Sequence, residues 1–282
     1  NGTGVSSGGA LMNSGGAATY SGVITFATAA SVVGESGTIA ITGIPATGVT
    51  TITLGGTAGG SVTTAIAGAR ALVKEGTGTW TLSGVNTYSL ATTISAGILK
   101  LGSTTALGTS SATAVSSGAA LDLGGFTLTT ARPLTLNGTG VSNGGALMNS
   151  GGAATYSGVI TFATAASVVG ESGTIAITGT PVSSAIAITL GGSAGGSIGT
   201  VIAGGRALAK EGTGTWTLSG TNTYTGTTTV SAGTLIAGSN APSGSAGAFG
   251  NAASAIVLGD AATTTNNSSP SLLTGGAFTI GR

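Results

Sequence analysis

The sequence predicts an all-β chain, a β-solenoid of tandem cassettes, on three observations. A long segment recurs almost unchanged: Asn1–Gly43 returns as Asn137–Gly179, an offset of 136 residues, with Ser7 replaced by Asn143. Between glycine-rich turns the chain runs in short stretches that mix small polar and apolar residues, mostly in alternation, the period of a half-buried strand. The residues of an ordinary core and surface are scarce: 4% are aromatic and 5% charged, while 55 of the 282 residues are glycine.

The repeat organises everything else. The offset carries Arg70 to Arg206, Lys74 to Lys210, Glu75 to Glu211, Trp80 to Trp216 and Tyr88 to Tyr224. It divides the chain into residues 1–136 and 137–282. After Ser239 the second copy diverges, gaining Asn240–Gly247 and, later, Thr263–Ser269. The join, Thr129–Gly140, reads TTARPLTLNGTG, which is more strand and turn rather than a linker. The two cassettes are therefore expected to form one stack, unbroken from Arg132 to Asn137, because a solenoid unit touches only its neighbours and can be duplicated freely.

Within a cassette, strands are expected over Thr25–Thr28, Thr38–Thr42, Thr50–Leu54 and Thr79–Ser83, with Gly-Gly, Ser-Gly and Asn-Gly between strands. Helical periodicity is absent, and so are the intervening helices of a βαβ fold. A two-sheet sandwich about 10 Å thick needs larger side chains than these. A narrow β-helix is filled by stacked Val, Ile, Leu and Ala, with outward Thr forming ladders. At roughly 20–25 residues per coil the chain would make about 12 coils, a rod on the order of 60 Å long.

Composition excludes several classes. Collagen needs glycine at every third position and abundant proline, whereas only five prolines occur. A hydrophobic fraction of 40% is too high for disorder. A net charge of +1 gives no basis for attraction to nucleic acid or an anionic membrane. No cysteine is present, so there are no disulfides or thiolate metal sites. No segment is apolar enough for a spanning helix. The chain starts at Asn1 without a visible signal peptide and ends in mid-pattern without an obvious cap, which reads as a piece of something longer.

Two segments, Ala71–Ser103 and Ala207–Ser239, resemble the autotransporter-associated β-strand repeat, also called the passenger-associated transport repeat. That pattern runs from lysine through Gly-x-Gly-x-x-x-Leu-x-Gly and Asn-x-Tyr-x-Gly-x-Thr to Ala-Gly-x-Leu. The second segment carries it at Lys210, Gly212, Gly214, Leu218, Gly220, Asn222, Tyr224, Gly226, Thr228, Ala232, Gly233 and Leu235. The first departs at Leu90, where the pattern has glycine. The resemblance implies a right-handed parallel β-helix in a very large bacterial surface protein, exported through a C-terminal outer-membrane barrel. No barrel is visible, so the resemblance concerns the passenger part.

Candidate sites are few. The acids Glu35, Glu75, Asp122, Glu171, Glu211 and Asp260 lie far apart in sequence and assemble no catalytic constellation; Glu35 and Glu171 would meet only if the cassettes wrapped face to face. Lys74-Glu75 and Lys210-Glu211 read as solvated turn pairs, and Arg70, Arg132 and Arg206 as solvated cations. Trp80 and Trp216 read as core fillers rather than sugar platforms, Tyr88 and Tyr224 as corner packing, and Leu218 as buried. Calcium-solenoid repeats need many aspartates, and only two occur. No P-loop occurs. Asn1, Asn137 and Asn267 fit glycosylation sequons that a Ser/Thr-rich chain produces by chance.

These readings predict no catalytic, cofactor or metal site and a non-catalytic structural segment of an extracellular fibre, stalk or sheath. Scarce charge and a mean hydropathy of +0.51 favour lateral packing of copies. Partners would then be further copies, or a surface ligand if the chain is instead a monomeric adhesin. Ice binding would need Thr-x-Thr in most coils; Thr79-Trp80-Thr81 and Thr127-Leu128-Thr129 occur, but irregularly spaced.

Overall fold

The computed structural model describes residues 2, 4, 8–43, 50–130, 132–265 and 268–281. It is a parallel β-solenoid. In the first cassette one side is the ladder Leu11–Asn13, Ala30–Gly34, Ile52–Gly55, Leu72–Lys74, Thr92–Ile94, Thr113–Val115 and Leu134–Gly138. A second side stacks Ala18–Tyr20, Ile39–Ile41, Gly59–Val62, Thr79–Leu82, Gly97–Leu101 and Ala119–Asp122. A third side is irregular backbone tied by single bonds, such as Thr87 N–H to the Ile66 carbonyl at 2.9 Å and Thr109 N–H to that of Tyr88 at 2.8 Å.

Period-two patterning sets which residues face in. One inward column runs Val32, Leu54, Lys74, Ile94, Val115, Leu136 and Phe162, each a coil above the last. Another runs Ile39, Gly60, Trp80, Leu99, Leu121, Leu147 and Val168. These residues are buried apart from the half-buried Gly60. Parallel strands in register let like residues stack, so burial and the backbone ladder reinforce each other at every rung.

At the join, Leu134–Gly138 pairs with Thr113–Val115 on one edge and with Ile160–Gly170 on the other. The second side continues through Leu147–Asn149, Ile160–Gly170, Ile188–Gly191, Leu208–Lys210, Thr228–Val230 and Val257–Leu258. This side stacks twelve strands, which at about 4.8 Å per rung gives a rod of roughly 50 Å. The formerly irregular third side becomes the ladder Ala154–Tyr156, Ile175–Ile177, Gly195–Ile198, Thr215–Leu218, Thr234–Ala237 and Ser271–Thr274.

The cassettes are consequently out of phase. Leu147–Asn149 repeats the sequence of Leu11–Asn13, yet it sits on the second side rather than the first. Six rungs lead from Ile39 to Val168, and Val168 is the counterpart of Val32, which lies one side before Ile39. The offset of 136 residues is thus six coils plus one side. Equivalent surfaces of the two cassettes face different directions around the rod, so Glu35 and Glu171 do not meet face to face.

The strand expected over Thr25–Thr28 is absent in the first cassette, although the same sequence forms part of the strand Ile160–Gly170 in the second. There, Leu134, Thr135 and Leu136 of the coil beneath pair with Ile160, Thr161 and Phe162. The divergent tail adds a one-turn helix, Ala261–Thr265, and the step from Thr234 to its partner Ser271 loops out the extra residues.

Candidate functional site

The charged residues that sequence reasoning placed in solvent are mostly interior. Lys74 and Lys210 are fully buried, which overturns their reading as solvated turn pairs. Leu72 faces in, so Lys74, two residues on in the same strand, must face in as well. Its ammonium donates to the carbonyls of Glu75 at 2.7 Å, Gly76 at 2.8 Å and Ala96 at 2.9 Å. Lys210 does the same with Glu211, Gly212 and Ala232, at 2.6, 2.8 and 2.9 Å. Three N–H donors meet three carbonyls that turn away from the ladder at a corner, so the lysine ties two successive coils together. The corner demands glycine: Gly97 has φ +64°, and a Cβ there would lie 2.7 Å from Lys74 Nζ. Burial pulls both lysine pKa values from 10.5 down to about 8, opposed by the adjacent carboxylate of Glu75 or Glu211.

Trp80 and Trp216 are fully buried, and their indole N–H groups donate to the carbonyls of Gly55 and Gly191 at 2.9 Å. Each indole lies against a glycine of the previous coil, Gly60 or Gly196, where a Cβ would approach the ring to 3.0 Å. They are core fillers and offer no platform to a sugar. Leu218 is buried beside Trp216 as expected.

Asn86 shapes the irregular side. Its side chain accepts from Ile66 N–H at 2.8 Å and donates to the Ala106 carbonyl at 2.6 Å, linking three coils. Asn222 repeats this with Ile202 and Ala248. Tyr88 and Tyr224 pack at the corner with their hydroxyls 2.9 and 2.8 Å from those of Thr92 and Thr228. Burial pushes the Tyr88 and Tyr156 phenols well above their ordinary pKa. At Leu90, N–H still donates to the Arg70 carbonyl at 3.0 Å, as Gly226 N–H does to that of Arg206 at 3.1 Å, so the turn survives the departure from the repeat.

Arg70 and Arg206 are also buried, not solvated. Their guanidinium groups stand 5.6 and 5.5 Å over the rings of Phe26 and Phe162. Arg206 also donates to the Val182 carbonyl and, at 2.9 Å, to Ser184. Burial lowers both arginine pKa values. Arg132 is half-buried and donates to the Gly108 carbonyl.

Asp122 is buried, accepting from Ser150 Oγ at 2.5 Å and Gly124 N–H at 2.9 Å, with Lys100 at 3.6 Å. Asp260 caps the one-turn helix through Thr263 N–H at 3.0 Å. The structure brings together two acid pairs that sequence spacing did not suggest: Glu35 with Glu75 along one groove, and Glu171 with Glu211 along another. The signal was the coil length, since each pair is two coils apart. Of the sequons, Asn137 is half-buried and donates to the Val115 carbonyl at 2.9 Å, while Asn1 and Asn267 lie outside the described residues. Among the described residues no group of three or more His, Cys, Asp or Glu is placed to hold a metal, and no helix is long and apolar enough to cross a membrane.

Comparison with known proteins agrees with the corner geometry. The model of the passenger-associated-transport-repeat family matches residues 72–101 and 208–237, which begin two residues before each clamping lysine and end in the next coil's strand. No curated protein and no solved structure gives a significant match. The chain thus matches the passenger-associated-transport-repeat model at two places, one in each cassette of a parallel β-solenoid.

Proposed function

We propose that this chain is a non-catalytic structural segment of an extracellular bacterial fibre, stalk or sheath, and that its partners are further copies of itself. The carrying observation is the phase of the cassettes. Because each advances by six coils plus one side, equivalent surfaces point in different directions around the rod. A rod with this screw can be contacted by like rods on more than one side, which favours a bundle over a flat sheet.

Surface chemistry supports the same reading. Four of the seven cations, Arg70, Lys74, Arg206 and Lys210, are buried, so little charge remains outside to hold copies apart. Among the described residues the outward charges are Glu35, Glu75, Glu171, Glu211 and Asp260 against Lys100 and Arg132. The four glutamates follow two corners, leaving the other surfaces with only Lys100, Arg132 and Asp260 among the described residues. Screening acts only on charge, so an assembly held by uncharged surfaces persists in salt.

Electron microscopy and sedimentation of the purified material, at low and at about 1 M salt, test this. Filaments or bundles in both conditions are expected. Single short rods in both conditions would refute the fibre and favour a monomeric passenger that binds a surface ligand.

A further inference from the structure

Two asparagine-glycine pairs, Asn137-Gly138 and Asn143-Gly144, lie close together at the start of the second cassette. An asparagine before glycine is open to loss of its side-chain amide, because glycine has no side chain to keep its backbone nitrogen away from the neighbouring Cγ. The structure treats the two pairs differently. Asn137 is half-buried in the strand Leu134–Gly138, which is paired on both edges. Its amide nitrogen donates to the Val115 carbonyl at 2.9 Å, and Gly138 N–H donates to Thr164 Oγ1 at 3.0 Å.

Asn143 is exposed, in the short 3-10 turn Val141–Asn143, outside the ladders. Ser142 and Asn143 have φ +49° and +63°, and among the described residues they are the only non-glycines with positive φ. Left-handed backbone is unfavourable for a residue with a Cβ, so this turn opens more readily than the strands around it. Opening releases Gly144 N–H from the Val141 carbonyl, which it meets at 2.8 Å. A second feature bears on the amide itself: Thr139 Oγ1 donates to Asn143 Oδ1 at 2.7 Å. That hydroxyl sits on the oxygen that gains negative charge when Cγ is attacked, the arrangement of an oxyanion site.

We infer that Asn143 is a site of spontaneous deamidation, by which the second cassette gains a carboxylate that the first does not. The Gly144 nitrogen attacks Asn143 Cγ. A C–N bond forms, the Cγ–Nδ2 bond breaks, and ammonia leaves with the proton of the Gly144 nitrogen. The cyclic imide then takes up one water, which breaks one of its two C–N bonds and gives aspartate or isoaspartate. Nothing is oxidised or reduced. The new carboxylate falls on the open groove of about 350 Å³ that Asn143 lines together with Glu171 and Glu211. In the first cassette the same position is Ser7, which has no amide to lose. One added negative charge takes the formal net charge of the chain from +1 to 0. The inference does not depend on bundling, since a single rod presents this turn.

Incubation of the purified chain at mildly alkaline pH, followed by peptide mapping with mass spectrometry and by ion exchange, tests it. Asn143 should convert at least about tenfold faster than Asn137, and an acidic species should grow at the same rate. Thr139→Val should slow conversion by about tenfold, less than the roughly hundredfold such a donor is worth in a dry site, whereas Thr139→Ser should keep the rate. Asn143→Ser, the residue of the first cassette, should abolish the acidic species. Circular dichroism melts identify any variant that has unfolded, and the comparison of Asn143 with Asn137 in the unaltered chain then decides. Equal conversion at the two asparagines overturns the proposal, as does an unchanged Asn143 over a period in which a free Val141–Leu147 peptide converts. A folded Thr139→Val chain that converts at the unaltered rate overturns the role of the hydroxyl.

Discussion

Lys74 and Ala96 stand on successive coils, with the buried ammonium 2.9 Å from the Ala96 carbonyl. Lys210 and Ala232 repeat the relationship at the same distance. A cation in an aliphatic column is tolerated because three carbonyls replace its water.

Removing the clamp should therefore cost more than removing a surface lysine. Lys210→Met keeps the length of the side chain but strands the carbonyls of Glu211, Gly212 and Ala232. A loss of roughly 2–5 kcal/mol is expected, measured by denaturant unfolding. A loss under about 0.5 kcal/mol, the size of an ordinary surface change, would show that the lysine is dispensable.

The depressed lysine pKa makes stability depend on pH. The folded value, about 8, lies below the unfolded 10.5. Between these values the unfolded chain binds more protons, so stability should rise as pH increases through this window and be lowest below pH 8. Above about pH 10 the buried phenols Tyr88 and Tyr156 reverse the slope, because unfolded tyrosine ionises first. Melting temperatures from pH 7 to 11 should thus pass through a maximum, and Lys74→Met with Lys210→Met should flatten the rising limb.

Leu218→Ala should cost about 2–5 kcal/mol, because the side chain is fully buried and a cavity would remain. Coupling between coils should spread the effect. Hydrogen exchange is expected to accelerate in Gly195–Ile198 and Thr234–Ala237, the strands that flank Thr215–Leu218. Acceleration confined to Thr215–Leu218 would contradict nearest-neighbour coupling.

Gly233→Ala tests the corner from the other side. Gly233 has φ +62°, and a Cβ would sit 2.4 Å from the Gly212 carbonyl oxygen and 2.8 Å from Lys210 Nζ. A loss of at least about 1–2 kcal/mol is expected from the left-handed backbone alone. Combined with Lys210→Met, the loss should be less than additive, since both changes break the same contact. Strict additivity in a double-mutant cycle would separate the glycine from the clamp.

The amino-acid order alone determined the solenoid, the repeat and its offset, the burial of Trp216 and Leu218, and the two passenger-associated transport repeats. All are read from local periodicity and ordered spacing, which need no knowledge of what lies above or below a strand. The inward lysines were also legible, since Leu72 and Lys74 share a face by period two. The low intrinsic cost of a solvated lysine hid them, because the three carbonyls that compensate burial come partly from another coil. Only the tertiary structure decided the phase of the cassettes, which depends on the sum of the lengths of all the intervening coils. It alone placed Glu35 with Glu75, forty residues apart, in one groove. It also decided that one sequence is a strand at Ile160–Phe162, where Leu134–Leu136 supplies the hydrogen-bond partners, and not at Ile24–Phe26.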